Sequence, residues 1–462
     1  MDMTGLVEQL KKQKQEVLTQ KSYRILQDLF DKDSFTPIDT GICDSLNCAE
    51  VMCGFGAING RPAYAFCQGF DECEGVISNQ HIKKLKRLYA LASKARVPIV
   101  GIYASSGMKL DNGEDLLVGM GELISSSLKL STEVPQISVV LGPCLGLNCV
   151  LARSADILIA TESSDISVNI KEDGTSSLEN DKNSIVDMLV QDSDSAFSSV
   201  RNLISMLPSN SSSPAPKGTF KEPVNSSFDG FELVINSIYN NNAYDVKTDI
   251  IEVIFDDKSF AELSHSCGQA FCVGIAKIGG VTVCVVALTS GAVSKLIDKE
   301  DVAKVQRFIS FCDRFNIPVI SFFDSKEFAS SQCAIDFYKA YNLSKVQKFN
   351  VILGELYGSL ASVVLSDDIN CSTTLAWPCA KISLLPYKAM ATISYNDDLK
   401  KSEDPIKDRK IYMAKFQQES ASPLIASKNG IISDVIDPLD TRKELFSLLE
   451  LFCSKNVLST FK

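Results

Sequence analysis

Apolar positions along the chain alternate between two spacings. Val97–Ala104 and Gln136–Gly142 are short runs dominated by aliphatic side chains, the pattern of strands that are buried on both faces. Around them apolar residues recur at helical spacing, which predicts helices over residues 5–30, Gln80–Ala95 and Asp115–Leu128. Because strands alternate with helices, the pattern predicts an α/β fold.

Three blocks of sequence occur twice, in the same order. In the first block, Gly54–Phe66 resembles Gly274–Val286 at an offset of 220 positions. In the last block, Ile137–Asp156 resembles Phe349–Asp368 at an offset of 212 positions. The lead-in "FDKDSF" likewise returns as "FDDKSF". Repeats in a common order predict a tandem duplication of one domain, and therefore two related half-sites.

A segment rich in Pro and Ser separates the two copies. "PSNSSSPAPKG" at Pro208–Gly218 has no apolar periodicity, which is typical of a flexible linker. The predicted organisation is a first domain over residues 1–207, a linker over 208–224 and a second domain over 225–462. Asp181–Leu207, immediately before the linker, is predicted to be helical.

Composition narrows the possible partners and the location. The chain has 462 residues and 45% hydrophobic content, enough for two globular cores. Its net charge of −11 argues against nucleic acid as the main partner. No apolar run reaches the ~18–20 residues of a membrane-spanning helix. The first residues lack the apolar segment of a signal peptide, so we expect a cytoplasmic location.

Cysteine and histidine usage limits the chemistry. The 15 cysteines lack the spacing of a zinc site, and we expect them to be reduced thiols in the core. The clearest core candidates are Cys67, Cys144, Cys272, Cys284 and Cys379. With only two histidines, His81 and His265, a His-based triad or metal site is almost excluded.

Each copy also contains a strand that ends in glycines and opens a helix. The two segments are "VVLGPCLGLNC" and "VILGELYGSLA". Such a turn points backbone N–H groups outward, where they stabilise negative charge that develops on an oxygen. The same spacing also serves close backbone packing, so the pattern by itself leaves both interpretations open.

Seven segments together show a family resemblance over nearly the whole chain. They are "LFDKDSFTPID", "GFGAINGRPAYAFCQGF", "HIKKLKRLYALASKARVPIVGI", "EVPQISVVLGPCLG", "RFISFCDRFNIPVISFFD", "LAWPCAKI" and "SPLIASKNGIISDVIDPLDTR". In this order they resemble the carboxyltransferase subunits of biotin-dependent acyl-CoA carboxylases and decarboxylases. That family includes the propionyl-CoA carboxylase beta subunit and the methylmalonyl-CoA decarboxylase carboxyltransferase.

The resemblance implies a fold, a reaction and a set of partners. The fold would be two crotonase-like domains, with active sites where domains of different protomers meet in a homo-oligomer, from dimer to hexamer. The reaction would move a carboxyl group between biotin on a separate carrier protein and an acyl-CoA, without a bound metal. The implied partners are a biotin carboxyl carrier protein and a biotin carboxylase or membrane decarboxylase subunit, and no nucleic acid.

The resemblance also assigns site residues. It places backbone oxyanion donors at Gly146, Leu147, Gly358, Ser359 and Leu360. It places acyl-CoA contacts at Gly75, Ser106, Gly107 and Lys109. Leu147, Asn148 and Leu360 stand where the family has small residues, Glu74 and Glu327 where it has glycine, and Lys109 where it has arginine.

Three functions are open on the sequence alone. The first is an active carboxyltransferase acting on acetyl-, propionyl- or methylmalonyl-CoA. The second is a catalytically impaired subunit with an assembly or carrier-binding role, since small residues are lost in both copies. The third is a crotonase-fold enzyme with altered chemistry, such as thioester hydrolysis, in which Glu74 or Glu327 acts as a base.

Overall fold

The chain divides into two compact units, Met1–Pro216 and Lys217–Lys462, each with its own main sheet. A computed structural model of the protein describes residues 7–8, 11–12, 15–16, 18–40, 51–69, 75–105, 107–109, 113–169, 185–218, 231–240, 243–290, 296–324, 326–366 and 371–459. The boundary between the units lies inside the stretch predicted as a linker. The exact extents of domains and linker stay a prediction.

The first unit is a mixed sheet with helices packed on it. Its strand order is β1–β2–β3–β4–β5–β6–β8, with β7 beside β5. The strands are β1 Thr36–Ile38, β2 Val51–Ile58, β3 Arg61–Gln68, β4 Ile99–Ser105, β5 Gln136–Leu145, β6 Ile157–Thr161, β7 Asp165–Ser167 and β8 Met188–Val190. The helices are α1 Lys21–Leu29, α2 Asn79–Ala95, α3 Gly113–Leu130, α4 Leu147–Arg153 and α5 Ser193–Met206. β1, β2 and β3 pair antiparallel, and the others pair in parallel.

The second unit repeats this plan and adds helices at its C-terminal end. Its main sheet has the order β19–β17–β15–β13–β11–β10–β9, with two small sheets, β12–β14 and β16–β18. The strands are β9 Ala261–Leu263, β10 Phe271–Ile278, β11 Val281–Leu288, β12 Leu296–Ile297, β13 Val319–Phe323, β14 Glu327–Phe328, β15 Lys348–Ile352, β16 Glu355–Tyr357, β17 Cys371–Ala376, β18 Lys381–Ser383 and β19 Asp434–Val435.

Helices of three kinds complete the second unit. The α-helices are α6 Phe231–Tyr239, α7 Lys299–Arg314, α8 Ser331–Leu343, α9 Gly358–Val364, α10 Tyr387–Ser394, α11 Asn396–Lys401, α12 Pro405–Glu419, α13 Pro423–Lys428 and α14 Thr441–Ser459. A π-helical turn, Val246–Ile251, continues into one α-helical turn, Glu252–Ile254, and a 3-10 turn spans Pro438–Asp440. The α/β prediction is confirmed.

Both units contain the same hairpin, anchored by an aspartate. In the first hairpin turn, Asn59 and Gly60 have φ values of 50° and 73°. In the second, Gly279 and Gly280 have φ values of 56° and 75°. Positive φ at both positions is the geometry that matches the twist of a two-residue hairpin. Asp31 accepts both N–H groups of the first turn at 2.9 and 2.7 Å, and Asp256 accepts both of the second at 2.8 Å. The repeated "FD" motif therefore supplies the anchoring carboxylate.

Each unit also buries a lysine that belongs to the first long helix of its copy of the repeat. Lys84 of α2 donates from Nζ to the carbonyl oxygen of Val51 at 3.0 Å. Lys304 of α7, offset by 220 positions, donates to the carbonyl oxygen of Phe271 at 2.7 Å. Val51 and Phe271 begin β2 and β10, so each lysine ties its helix to the start of the hairpin.

Two predictions about residues 181–218 differ from the structure. Part of the helix predicted over Asp181–Leu207 (residues 181–184) lies outside the described residues; Met188–Val190 pairs with β6 as a parallel strand, and α5 begins at Ser193. The first part of the predicted linker is held by the first unit. Asn210 donates to the Arg96 carbonyl at 3.0 Å, and the Ser211 N–H donates to the Glu133 carbonyl at 2.8 Å. Within the described ranges, no helix combines the length and apolarity that crossing a bilayer requires.

Candidate active site

The N-terminal glycine turn, residues Leu145–Asn148, joins β5 to α4. Gly146 has a φ of 59° and a ψ of −130°, a conformation that favours glycine. Its N–H donates to the carbonyl oxygen of Ser167 on β7 at 2.8 Å. The glycine therefore extends the strand pairing by one residue and then redirects the chain into the helix.

The C-terminal glycine turn, residues Tyr357–Leu360, has the same construction at the start of α9. Gly358 has a φ of 61°, and a Cβ at this position would point into open space. Its N–H donates to the carbonyl oxygen of Leu384 at 3.1 Å. In both turns the glycine N–H that was predicted to be an oxyanion donor is thus bonded to a backbone carbonyl.

The next two N–H groups of each turn differ from the glycine N–H. Neither Leu147 nor Asn148 finds an acceptor for its N–H among the described residues, and the same holds for Ser359 and Leu360. These positions begin a helix, where N–H groups have no partner one turn earlier. Each turn therefore presents two consecutive donors next to a bonded glycine.

The unusual side chains at these turns point into the protein. Asn148 is 2% exposed, and its side-chain amide exchanges two hydrogen bonds with that of Gln68, at 2.8 and 3.0 Å. Leu147 packs against the core of the first unit, and Leu360 is 1% exposed. The bulk that these residues add is therefore accommodated largely inside the fold.

The predicted acyl-CoA residues of the first unit lie beside the carboxyl end of β4. Gly75 has a φ of 66°, and a Cβ there would collide with the carbonyl oxygen of Ala104, so only glycine fits. The Gly107 carbonyl accepts the Ile77 N–H at 2.9 Å, and the Ile77 carbonyl accepts the Lys109 N–H at 3.0 Å. These bonds bring Gly75, Gly107 and Lys109 together.

The carboxyl end of β4 adjoins the N-terminal glycine turn, because Ser105 at this end pairs with Cys144 of β5. Two further candidates, Ser106 and Glu74, lie outside the described residues.

A cavity of about 370 Å³ adjoins the C-terminal glycine turn. It is lined by Lys326, Glu327, Phe328, Ser330, Ser331, Ala334, Tyr357, Gly358, Ser359, Leu360, Leu385 and Pro386. We call it the second-unit cavity. It brings the predicted donors Ser359 and Leu360 together with Glu327, which is exposed.

Lys326 is the residue of this cavity that the sequence analysis missed. It is 3% exposed, and its Nζ donates to Thr289 Oγ1 at 2.8 Å and to the Ser290 carbonyl at 3.2 Å. Burial lowers the pKa of Lys326 from 10.5 to about 8, although Asp301 and Asp324 act in the opposite direction. The internal repeat gives the one available signal: its middle block matches Ala92–Gly107 with Cys312–Glu327 at an offset of 220 positions, which aligns Lys326 with Ser106 in the predicted acyl-CoA segment.

The described residues give little support for catalysis by a side-chain nucleophile or by a bound metal. Burial raises the pKa of Cys53 to about 12 and that of Cys379 to about 11, which keeps both thiols protonated. His81 is 1% exposed, and burial together with Lys84 lowers its pKa to about 3. Within the described part of the chain, no three His, Cys, Asp or Glu side chains are grouped so that they could hold a metal ion.

Comparison with known proteins decides the family. The model of the carboxyl transferase domain matches residues 21–462. The chain belongs to the carboxyl transferase family. This carboxyl transferase is 27% identical to the propionyl-CoA carboxylase beta chain of Roseobacter denitrificans, over 94% of this chain and 91% of the relative. It is 26% identical to the methylmalonyl-CoA decarboxylase subunit alpha of Propionigenium modestum, over 91% and 88% of the two chains.

The fold of the carboxyl transferase is also found in solved structures. A hexameric transcarboxylase 12S, with hydrolysed methylmalonyl-CoA bound, matches with a TM-score of 0.86 and 25% identity, over 98% of this chain and 96% of that one. A single-chain long-chain acyl-CoA carboxylase matches with a TM-score of 0.77 at 19% identity. The predicted carboxyltransferase family, the enzyme class and the crotonase-like α/β fold are confirmed.

Proposed function

We propose that the protein moves a carboxyl group between biotin on a separate carrier protein and a short-chain acyl-CoA. The acyl group would be acetyl, propionyl or methylmalonyl. One observation carries the proposal: in a chain of the carboxyl transferase family, the matching turn of each unit has two consecutive N–H groups without an acceptor among the described residues. The names of two relatives refer to propionyl-CoA and methylmalonyl-CoA, which supports a short-chain acyl-CoA as the substrate.

In this proposal the glycines shape the turns and their neighbours donate. The donors are Leu147 and Asn148 in the first unit, and Ser359 and Leu360 in the second. We assign no donor role to Gly146 and Gly358, since backbone carbonyls accept their N–H groups in this conformation. This shifts the predicted donor pair by one residue in the first unit and narrows it to two residues in the second.

Carboxyl transfer develops negative charge on one oxygen at each end of the reaction. Carboxylated biotin would release CO2 from a ureido nitrogen, and that nitrogen would then take the α-proton of the acyl-CoA, whose enolate adds to the CO2. The N–H pairs would stabilise the negative charge on the biotin ureido oxygen and on the thioester oxygen. Two aligned N–H groups stabilise such an oxygen without any side-chain base. The buried His81 and the buried thiols are consistent with this chemistry.

Residues beside the carboxyl end of β4 support acyl-CoA binding in the first unit. Lys109 is exposed there and supplies a positive charge for an anionic nucleotide. Gly75 allows close backbone approach. The second-unit cavity would then receive the biotin end. The partners we propose are a biotin carboxyl carrier protein, a biotin carboxylase or decarboxylase subunit, and further copies of this chain, as the hexameric relative suggests.

The test is a transfer assay with purified protein. Carboxylated biotin carrier is mixed with acetyl-CoA or propionyl-CoA, and the carboxylated product is measured. The reverse direction uses methylmalonyl-CoA and uncarboxylated carrier. Transfer in either direction supports the proposal.

The impaired-subunit alternative is an outcome of the same assay. If the wild-type protein shows no transfer while Leu147→Gly combined with Leu360→Ala restores it, the protein is not an active carboxyltransferase. We expect instead similar activity in both proteins, because the leucine side chains are packed into the fold. Hydrolysis of acyl-CoA that Glu327→Gln abolishes would favour the altered-chemistry alternative.

A further inference from the structure

Lys326 is one of the residues that line the second-unit cavity, and the contacts of its buried ammonium group are neutral. Lys326 is 3% exposed, and its two acceptors are the Thr289 hydroxyl and the Ser290 carbonyl. An ammonium group has three donors, so one remains after these two bonds.

Lys326 also has no direct ion pair within the described ranges of the chain. No carboxylate of the described residues forms an ion pair with it, although Asp301 and Asp324 act on it from a longer distance. The buried Arg442 of the same unit, by contrast, pairs with Asp256 at 2.6 Å. Taking a charge out of water without a partner is costly, so a buried unpaired cation indicates that a ligand supplies the missing charge.

The remaining lining suits a small anion. The first turn of α8 contributes Ser330 and Ser331, and the C-terminal glycine turn contributes Ser359 and Leu360, whose N–H groups have no acceptor among the residues that the structure describes. Glu327 is the one carboxylate among the residues that line this described cavity. Because it is exposed, water screens its charge far more than that of the buried Lys326.

We propose that Lys326 binds a substrate carboxylate in the second-unit cavity, beside the oxyanion donors of the C-terminal glycine turn. The inference rests on the proposed function, since that function supplies the two possible carboxylates. One is the carboxyl group carried by biotin, and the other is the free carboxylate of a dicarboxylic acyl group such as methylmalonyl. Both present the same chemistry to the ammonium group, a charge-assisted hydrogen bond.

The test compares the full-length wild type with Lys326→Met and Lys326→Arg. Lys339→Met is the control for a change in overall charge, because Lys339 is a surface residue of α8 that does not line the cavity. Calorimetry compares methylmalonyl-CoA with propionyl-CoA, which differ by one carboxylate. Kinetics give the KM for the carboxylated biotin carrier, and circular dichroism checks that each variant is folded.

Each source of the carboxylate has its own signature. If it belongs to the acyl group, Lys326→Met weakens methylmalonyl-CoA binding about 10- to 100-fold and leaves propionyl-CoA binding unchanged. If it belongs to the group on biotin, the KM for the carboxylated carrier rises by the same factor and both CoA esters bind as before. Lys326→Arg retains most of the affinity, and Lys339→Met behaves as the wild type.

Unchanged affinity and unchanged KM in a folded Lys326→Met overturn the inference. A wild type that prefers methylmalonyl-CoA, loses the preference in Lys326→Met and yet transfers no carboxyl group would refute the proposed function while leaving Lys326 assigned. A wild type with neither preference nor transfer overturns both.

Discussion

At the residue scale, the glycine of each glycine turn shapes the backbone, and the residues after it carry the proposed donor N–H groups. Gly146 and Gly358 adopt positive φ and give their N–H groups to Ser167 and Leu384, which fixes the turn. The following residues then enter a helix, and within the described part of the chain their N–H groups have no acceptor. A proposed donor can therefore be removed by changing the residue after the glycine while the glycine keeps its own hydrogen bond.

Ser359→Pro is the most direct change of this kind. Proline has no N–H, and it is favoured where a helix begins, so the turn is expected to persist. Loss of one oxyanion donor should lower kcat for carboxyl transfer to propionyl-CoA about 100- to 1000-fold. Ser359→Ala keeps the N–H and should remain close to the wild type. An equal loss in both variants would mean that the hydroxyl, and not the N–H, matters.

The buried amide pair beneath the N-terminal glycine turn gives a second prediction. Gln68→Ala or Asn148→Ala leaves the other amide buried without its partner, which should lower the free energy of unfolding by about 1–3 kcal/mol. The double variant should lose less than the sum of the two single losses. Urea denaturation of the four proteins measures this coupling, and strict additivity would contradict it.

At the element scale, the same hairpin is anchored with different strength in the two units. Asp31 and Asp256 each hold a two-residue turn through a pair of N–H groups. Asp256 in addition pairs with Arg442, which is 2% exposed and donates to the Ile254 carbonyl at 2.7 Å. In the second unit the hairpin is therefore tied to α14 as well.

This difference predicts unequal costs for equivalent substitutions. Asp31→Ala should lower the free energy of unfolding by about 1–2 kcal/mol through two lost hydrogen bonds. Asp256→Ala should lower it by about 3–5 kcal/mol, because it also leaves the buried Arg442 unpaired. Chemical denaturation measures both, with the exposed Asp257→Ala as a control that should change little. Equal losses at Asp31 and Asp256 would show that the ion pair adds nothing.

Sequence patterns predicted several helices and strands of the first unit, and the misses have a physical cause. The bounds of α2 followed from local periodicity, which short-range forces determine. β8 was missed because Met188–Val190 becomes a strand only by pairing with β6. Whether the N–H groups of Gly146 and Gly358 are free depends on acceptors at Ser167 and Leu384, whose positions no local pattern gives.

The candidate site shows the same limit. The glycine turns could be found from the sequence, since glycine is the residue that positive φ requires. Lys326 was missed because a lysine beside Asp324 and Glu327 has the pattern of a solvated surface, and only the folded second unit buries it.

At the scale of the whole molecule, a net charge of −11 coexists with buried basic groups that oppose folding. The pKa of Lys326 is lowered from 10.5 in the unfolded chain to about 8. Between these values the unfolded state binds more protons than the folded state, so stability must rise with pH in this window. Below about pH 8 the lysine is charged in both states, and its full desolvation cost applies.

Lys326→Met should remove this dependence. We expect the midpoint of chemical denaturation of the wild type, relative to that of Lys326→Met, to increase from pH 7.5 to pH 10. Lys339→Met should show no such trend, because Lys339 is largely exposed. A constant difference between wild type and Lys326→Met across this range would indicate that the ammonium group is well solvated in the folded protein.

The two glycine turns have an evolutionary consequence. Their proposed catalytic atoms belong to the main chain, which every amino acid except proline supplies. Side chains at positions 147, 148, 359 and 360 are therefore free to drift as long as the interior makes room for them, as it does for Asn148 and Leu360. A lineage of such enzymes can lose its recognisable signature letter by letter and still inherit the same reactive surface.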